Sequence, residues 1–341
     1  MDEILVSVII PVYNAEAYLE ECFHSVCTQD HKNLQIIFIN DGSTDSSGKL
    51  IDHYADADKR VTKITEDNHG LGYARNRGLE NAAGKYVLFL DSDDMLNRGI
   101  ISALVSRAEK DDLDMVIFDG KTYPANNQRE KYHIIEPCHQ YDYPDVYSGA
   151  ELFAKMHQNE DLIGTAWINL YKTQWLRENQ IVFPEGILHE DELWTFTCFR
   201  KAVRTGYLRQ TGYFYRIREN SIMTKRPGID NLRGLYLTIH NEILICFNNK
   251  IETKYESAFT EHITQLQQQT AALYANNKDT FSAQAKTPFD QMMLGDMENA
   301  EYQKIIDQLN ENINDIYQSS SWKVGNTLIN HFHKIKKLIK G

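Results

Sequence analysis

A short apolar segment that ends in a cluster of carboxylates constrains the fold more than any other part of the sequence. It runs from Lys85 to Leu90 and is followed at once by Asp91, Asp93 and Asp94. Its apolar residues, several of them aromatic or β-branched, predict a short strand buried on both faces, as in a parallel sheet covered by helices. Because burying the carboxylates as well would be costly, we expect them at the open carboxyl end of the strand, where α/β sheets bind ligands.

These carboxylates have two interpretations. The oxygens of Asp91 and Asp93, one residue apart, can converge on a hard divalent cation such as Mg²⁺ or Mn²⁺, which prefers oxygen ligands and keeps positions for substrate phosphates. The alternative is an acidic, solvated turn after an ordinary strand. The spacing of two aspartates does not distinguish a cation site from a solvated turn, so the distinction depends on motifs elsewhere in the chain.

Strand and helix patterns alternate ahead of this segment. Strands are predicted at residues 5–10, 34–39 and 61–64, and helices at 17–28 and 46–55. We expect Pro11 to end the first strand, because proline cannot donate a hydrogen bond to a central ladder. The repeat of strand, loop and helix is typical of a parallel sheet with right-handed crossovers, and the predicted fold class is α/β.

A glycine-rich segment lies between the third strand and the acidic one. It begins at Asn68, contains Gly70 and Gly72 near a helix start, and continues into two arginines before Gly78. Such a segment can bring backbone N–H groups and guanidinium charge to a phosphate. Its spacing fits neither the dinucleotide-binding pattern nor the P-loop, so a plain helix entry with a solvated face is the alternative.

Four motifs in this order resemble those of the family 2 glycosyltransferases. They are Val8–Asn14, Asn40–Asp45, Asn68–Gly78 and Leu90–Asp94. The resemblance is strong over residues 4–120, extends more thinly to 225, and departs at Asn40, where many members carry a second aspartate. It implies a GT-A fold, in which a mostly parallel sheet flanked by helices binds a nucleotide-diphospho-sugar.

The resemblance also implies roles for individual residues at the edge of the sheet. Asp93 would ligate a divalent cation, Mn²⁺ or Mg²⁺, that bridges the diphosphate, and Asp91 would address the ribose or the metal. The uracil would be framed by three residues, with the Asp41 carboxylate accepting the ring N–H, and two more would hold the nucleotide further along. These five residues are Pro11, Tyr13 and Asp41 for the uracil, and Asn68 and Arg75 for the rest. The alternatives are that Tyr13 caps the core and that Arg75 pairs with a neighbouring aspartate.

A second group of ionisable residues precedes a helical pattern. His189, Glu190, Asp191 and Glu192 follow one another, and apolar residues at helical spacing begin at Leu193. Carboxylates at a helix N-terminus are favoured by the macrodipole, which by itself explains their presence. The functional interpretation is that one of them is the general base that a transfer to a hydroxyl requires. In the enzymes that the chain resembles a Glu-Asp pair supplies it, which assigns the base to Asp191 and the positioning of acceptor or base to Glu190. Whether His189 completes the metal shell stays open.

The segment from Tyr213 to Ser221 alternates as an edge strand would and then carries arginines. Arg218 and Ser221 resemble the part of the family that holds the diphosphate, where fixed cationic donors stabilise the charge of a leaving group. Arg216 is a weaker candidate. The alternative is a surface strand with alternating charge.

Composition changes after Gly228, and the predicted domains follow that change. Residues 1–228 are expected to form the GT-A catalytic domain, with nucleotide binding in 1–120 and acceptor and catalytic functions in 121–228, and residues 229–341 an α-helical C-terminal region. Its last part, residues 319–341, contains five lysines and no acidic residue beside an apolar face with Trp322. Such a basic amphipathic tail suits the surface of an anionic membrane or a partner subunit.

The resulting hypothesis is a metal-dependent inverting hexosyltransferase. It would move a sugar from a UDP-sugar to a hydroxyl of a glycan or lipid-linked acceptor in the synthesis of bacterial cell-surface polysaccharide. The alternatives are a nucleotidyltransferase, disfavoured because no glycine-rich loop follows the first strand, and a catalytically silent nucleotide-sugar-binding or scaffold protein of a glycan assembly complex.

Composition bounds the partners and the compartment. The net charge of -12 argues against a nucleic-acid partner. The five cysteines form no Cys-Xaa-Xaa-Cys pair, which is typical of reduced thiols. The chain starts without a secretory signal pattern and contains no run of 18 apolar residues. We therefore expect a cytoplasmic protein, or one held peripherally at the inner face of the cell membrane.

Overall fold

The computed structural model describes residues 4–124, 128–132, 134–219, 221, 224–248 and 250–299. These residues form two compact units, one of residues 4–186 and 190–225 and the other of residues 187–189 and 226–299. The part of the predicted α-helical region beyond residue 299, including the basic tail predicted at 319–341, lies outside the described residues.

In the first unit, the described residues form one mixed sheet of nine strands in the order β3-β2-β1-β4-β8-β6-β9-β5, with β7 paired to β9. The longer ladders, β1 with β2, β2 with β3 and β6 with β9, are parallel. The strands are β1 (Val6–Val12), β2 (Leu34–Asp41), β3 (Val61–Glu66), β4 (Tyr86–Phe89), β5 (Met95–Leu96), β6 (Met115–Tyr123), β7 (Val146–Tyr147), β8 (Asn169–Lys172) and β9 (Thr205–Arg216).

Helices flank this sheet, and every residue of β1 and β4 is buried, as expected of strands covered on both faces. The helices of this unit are α1 (Leu19–Cys27), α2 (Ser47–Ala57), α3 (Leu71–Asn81), α4 (Ile100–Asp111), α5 (Gln128–Lys131), α6 (Gly149–Gln158), α7 (Thr173–Glu178) and α8 (Glu190–Lys201). The predicted α/β class is confirmed, and so is each strand and helix predicted before residue 94, with shifts of a few residues at the ends.

Pro11 lies inside β1 and does not end it. The ladder between β1 and β2 continues to Val12, whereas the ladder between β1 and β4 stops at Ile9. Beyond Ile9 the strand is paired on one side only, and a residue without an N–H is tolerated there.

The prediction of an edge strand around Tyr213 is wrong. β9 lies between β6 and β5 and also pairs with β7. The strands β5 and β7 have two residues each, which is too short for a sequence pattern that would predict their pairing with β9. Tyr213 itself is fully buried, in the core of the sheet.

Helix α3 packs closely on the sheet because it presents a glycine to it. A Cβ atom at Gly78 would lie 2.3 Å from Cγ2 of Ile9 in β1, much closer than any real contact. Only glycine therefore allows α3 to approach this near, and the approach fixes the position of the other side chains on the same helix face.

The second unit is helical in its described part, as predicted. It contains α9 (Ile229–Asn248), α10 (Thr253–Gln284) and α11 (Pro288–Glu298). Thr287 and Asp290 form a capping box at the start of α11, and Arg233 of α9 contacts Asp290 at 2.7 Å. Among the described helices, none combines the length and the apolar character needed to cross a membrane.

Candidate active site

The loop after β4 is shaped by Asp94, which the sequence predicts at the open end of the strand but which is buried in the structure. Asp94 is 1% exposed, and it accepts hydrogen bonds from the Tyr213 hydroxyl at 2.7 Å and from the backbone N–H of Arg216 at 2.6 Å. Burial raises the pKa of Asp94 well above its usual value, and the charges of Asp93 and Asp91 raise it further. Asp94 therefore ties the acidic loop to the end of β9.

Asp93 and Arg218, predicted as metal ligand and diphosphate donor, contact each other. Nε of Arg218 donates to Oδ2 of Asp93. Burial raises the pKa of Asp93, the Arg218 guanidinium opposes this rise, and the charge of Asp91 adds to it. Three carboxylates within four residues thus crowd negative charge at the carboxyl end of β4. An oxygen-rich, electronegative site of this kind fits a divalent cation.

Arg75 joins the two acidic groups that the sequence places far apart. Its guanidinium is buried, with 1% of the side chain exposed. Nη2 donates to Oδ1 of Asp91 at 2.8 Å, and Nη1 donates to Oε1 of Glu190 at 2.6 Å. The end of β4 and the start of α8 therefore meet at a single cation. The contacts of Arg75 include the alternative stated for it, a pairing with a neighbouring aspartate.

The chain ahead of α8 is fastened to α3 by a neighbour of Arg75. The side chain of Asn76 donates to the backbone oxygen of Phe183 at 2.9 Å and accepts from its N–H at 2.8 Å. A Cβ atom at Gly72 would lie 2.3 Å from the backbone oxygen of Pro184. The segment around Phe183 can therefore lie directly against α3 only because residue 72 has no side chain.

Aromatic packing fixes the same segment from the other side. The rings of Phe183 and Trp194 stack with centroids 3.9 Å apart and planes 2° from parallel. The Arg75 guanidinium lies 5.2 Å from the centroid of Phe183, within the range of a cation–π contact. The first turn of α8 is thus held by a rigid frame made of α3, Phe183 and Trp194.

Asp191 lies in that first turn and has a perturbed pKa. It is half-buried, and its Oδ1 accepts from the N–H of Glu192 at 3.1 Å. Burial, and after it the charge of Glu190, raise the pKa of Asp191 to about 8, while the Arg75 guanidinium opposes the rise. Burial also raises the pKa of Glu190, again against the effect of Arg75. A carboxyl group that titrates near neutral pH is suited to general-base catalysis.

The residues predicted to frame a uracil lie at the ends of β1 and β2. Asp41 is 4% exposed, and its two carboxylate oxygens accept from the backbone N–H groups of His69 at 2.8 Å and Gly70 at 2.9 Å. Asn68 donates to the backbone oxygen of Asp41 at 3.0 Å. Asp41 therefore also fixes the start of α3, and its remaining lone pairs are those left for a base. Pro11 is buried in β1, and Tyr13 is 54% exposed just beyond it.

Ser221 is placed in a local turn after β9. Its Oγ lies 3.0 Å from Oγ1 of Thr224, and that hydroxyl donates to the backbone oxygen of Arg218 at 2.9 Å. The structure brings Arg218 to the acidic loop, while the hydroxyl of Ser221 contacts Thr224.

Arg216 anchors the acidic loop rather than facing solvent. Nε of Arg216 donates to the backbone oxygen of Asp93 at 2.8 Å, and Nη2 donates to Glu21 at 2.8 Å. Its guanidinium also lies between the rings of Tyr18 at 5.3 Å and Tyr123 at 5.1 Å. The sequence holds no local signal for these contacts, because Arg216 and Asp93 are 123 residues apart.

Comparisons with known proteins identify the family of this chain. Residues 7–173 match the sequence model described as Glycosyl transferase family 2. Glycosyltransferase GlyA of Streptococcus pneumoniae is 32% identical over 221 residues, which cover 64% of this chain and 31% of GlyA. An uncharacterized glycosyltransferase of Haemophilus influenzae is 31% identical over 224 residues, which cover 65% of this chain and 83% of that protein. The match thus spans about a third of GlyA and most of the second relative.

The same fold occurs in a solved structure, that of S. aureus TarS in complex with UDP-GlcNAc. The two chains superimpose with a TM-score of 0.65 at 22% identity, over 86% of this chain and 79% of the TarS chain. The fold of this chain is therefore the GT-A fold, with helices added at its C-terminal side.

Proposed function

Because the chain belongs to glycosyltransferase family 2, we propose that it is a metal-dependent, inverting transferase that moves a sugar from a UDP-sugar to a hydroxyl of a glycan or lipid-linked acceptor. The observation that carries the proposal is the shared guanidinium of Arg75. It places the carboxylate of Asp91, at the nucleotide edge of the sheet, and that of Glu190, next to the proposed base Asp191, around one point. UDP as the nucleotide is supported by the fold shared with TarS, which binds UDP-GlcNAc.

The acidic loop would hold the diphosphate end of the donor. Asp93, with Asp91 beside it, would ligate Mn²⁺ or Mg²⁺, whose chemistry is to neutralise the charge of the departing diphosphate. Arg218, which contacts Asp93, would donate to the same diphosphate. Pro11, Tyr13 and Asp41 would frame the uracil, and Asn68 would hold the nucleotide further along.

The proposed chemical step is a single displacement. The acceptor hydroxyl oxygen forms a bond to C1 of the donor sugar while the bond from C1 to the phosphate oxygen breaks. The hydroxyl proton passes to the carboxylate of Asp191, and UDP departs with the electron pair of the broken bond. Attack from the face opposite the leaving group inverts C1. Glu190, paired with Arg75, keeps the first turn of α8 in place during the step.

A screen for release of UDP tests the proposal. Purified protein is incubated with a panel of UDP-sugars and Mn²⁺ or Mg²⁺, with and without glycan acceptors. The wild type is compared with Asp191→Asn and with Asp142→Asn, an exposed aspartate outside the site that serves as the matched control. We expect wild type and control to transfer equally, and Asp191→Asn to lose about 100-fold or more in kcat while its affinity for UDP is kept.

Two results would count against the proposal in different ways. Binding of UDP without turnover of any donor would indicate a silent nucleotide-sugar-binding or scaffold protein. Equal transfer by Asp191→Asn and wild type would remove Asp191 as the base. Synthesis of cell-surface polysaccharide as the pathway, and the cytoplasmic side of the membrane as the location, are parts of the proposal that the identity of the acceptor would test.

A further inference from the structure

We infer that Arg75 is a positioning residue: it couples the nucleotide-binding edge of the sheet to the first turn of α8, which carries the base, and it does not bind the nucleotide itself. The inference rests on the proposed function, because it concerns the placement of Asp191. It assigns to Arg75 a role different from the one that the sequence resemblance implies.

The two ion pairs of Arg75 join separate segments of the chain. Asp91 follows β4, and Glu190 begins α8, 99 residues later in the sequence. Each carboxylate takes a different terminal nitrogen of the guanidinium, at 2.8 and 2.6 Å. A planar fork with fixed donor directions holds both carboxylates at a defined separation, whereas the single ammonium of a lysine cannot. A shift of Asp91 when the donor binds is therefore passed to Glu190.

The fork is itself held in place. Arg75 is carried by α3, which glycines bring close to the sheet and to Pro184. Phe183 lies 5.2 Å from the guanidinium and is fastened to α3 through Asn76. With 1% of its side chain exposed, Arg75 has little room to move and no surface to offer a substrate.

Loss of the guanidinium would disturb the base and leave the uracil contacts in place. Glu190 is 4% exposed and would lose its cation while the charge of Asp91 stays nearby. Without the two ion pairs, Arg75 would no longer fix the start of α8 to the loop after β4. A displacement of about 1 Å in a catalytic group can cost about 100-fold in rate. Pro11, Tyr13 and Asp41, which would frame the uracil, lie at the ends of β1 and β2 and make no contact with Arg75 among the described hydrogen bonds.

The variants that test this are Arg75→Lys, Arg75→Met and the double variant Arg75→Met with Glu190→Gln. The double variant removes the buried anion together with its partner, so that a chain too unstable as Arg75→Met can still be measured. Arg77→Met is the matched control. Arg77 lies two residues further along α3 and pairs with Glu66 and Glu80 in a solvated position away from Glu190.

The first readout separates catalysis from binding. We expect kcat to fall about 100-fold in Arg75→Lys and in the double variant, while the dissociation constant for UDP, measured by calorimetry, stays within about threefold of wild type. Arg77→Met should match wild type in both. The inference is overturned if UDP binding weakens by tenfold or more with kcat preserved, because Arg75 would then hold the nucleotide. It is also overturned if Arg75→Lys has full activity.

The second readout needs no turnover. Hydrogen exchange is followed in a peptide that covers the first turns of α8, with and without UDP and Mg²⁺. Binding should slow exchange there in wild type and Arg77→Met, and should leave it unchanged in Arg75→Lys and the double variant. Equal protection in all four proteins would refute the coupling. A wild type that shows this protection but turns over no donor would refute the proposed function and leave the coupling supported.

Discussion

Transfer by the wild type should rise steeply between pH 7 and pH 9, because the proposed base is protonated at neutral pH. Burial and the neighbouring Glu190 raise the pKa of Asp191 to about 8. A base with that pKa is about 10% ionised at pH 7 and about 90% ionised at pH 9, so kcat/KM, which reports the free enzyme, should increase about ninefold over this interval. An unperturbed aspartate, with a pKa near 4, would give a flat profile over the same range.

The assay is kcat/KM for UDP release at donor and acceptor concentrations well below saturation, in overlapping buffers from pH 5.5 to 9 at constant ionic strength and constant Mg²⁺. The groups whose charges act on Asp191 are Glu190 and Glu192 of its own helix, Arg75 of α3 and Asp91 after β4. The net charge of these four groups is negative, which keeps the pKa of Asp191 above its ordinary value. A flat profile, or an acid limb centred near pH 4, would refute the assignment of Asp191 as a base with a raised pKa.

A second variant, which is expected to raise activity at pH 7, tests the same assignment. Glu192→Gln removes one like charge from beside Asp191, so the acid limb of the kcat/KM profile should move to lower pH and kcat/KM at pH 7 should rise. Glu178→Gln, an exposed change on α7, is the matched control and should leave the limb where it is. A limb that moves upward in Glu192→Gln would contradict the electrostatic origin of the shift.

Three further outcomes follow from the same geometry. Asp191→Asn should stabilise the protein without ligands by about 1–2 kcal/mol at pH 8 or above, seen as a higher Tm. The pKa of Asp191 is higher in the folded than in the unfolded protein, so the stability that this group contributes is complete below about pH 4 and is lost as the pH rises towards 8. The difference in Tm between Asp191→Asn and wild type should therefore vanish at low pH. Gly72→Ala should destabilise by about 1–3 kcal/mol and lower kcat, because its Cβ would press on the backbone of Pro184; Gly295→Ala in α11, with open space around it, is the control in thermal unfolding. Chelation of divalent cations should abolish transfer and weaken UDP binding by calorimetry, and added Mn²⁺ or Mg²⁺ should restore both; transfer that persists in the chelator would contradict a metal-dependent step.

The parts of the fold that the sequence predicts are those whose signal is local. β1, β2 and β4 are short, largely apolar runs followed by a turn, β3 mixes apolar and polar residues, and α1 repeats apolar residues at helical spacing. The four residues of β8 carry no such pattern, yet this strand pairs antiparallel with both β4 and β6. Its place in the sheet is set by partners more than 50 residues away, which periodicity does not reveal.

The buried state of Arg75 does leave a trace in the sequence. Gly72, Gly78 and Leu79 lie on the same face of α3 as Arg75, at spacings of three and four residues, whereas Arg77 lies on the other face. Small residues on one face of a helix indicate close packing there, so an arginine among them is expected to be buried. A buried guanidinium in turn requires anionic partners.

Which carboxylates those partners are is a different kind of question, and it marks the limit of the sequence. The chain contains 48 acidic residues, and helical spacing says nothing about which of them reach α3. Asp91 is a strong candidate, because α3 leads directly into β4 and the loop after β4 lies at the same edge of the sheet. Glu190 is not, because its position beside Arg75 depends on the packing of Phe183 against Asn76 and Trp194. The pairing that joins nucleotide edge and base is therefore decided by tertiary packing, which is why the chemical motifs were readable from the sequence and the link between them was not.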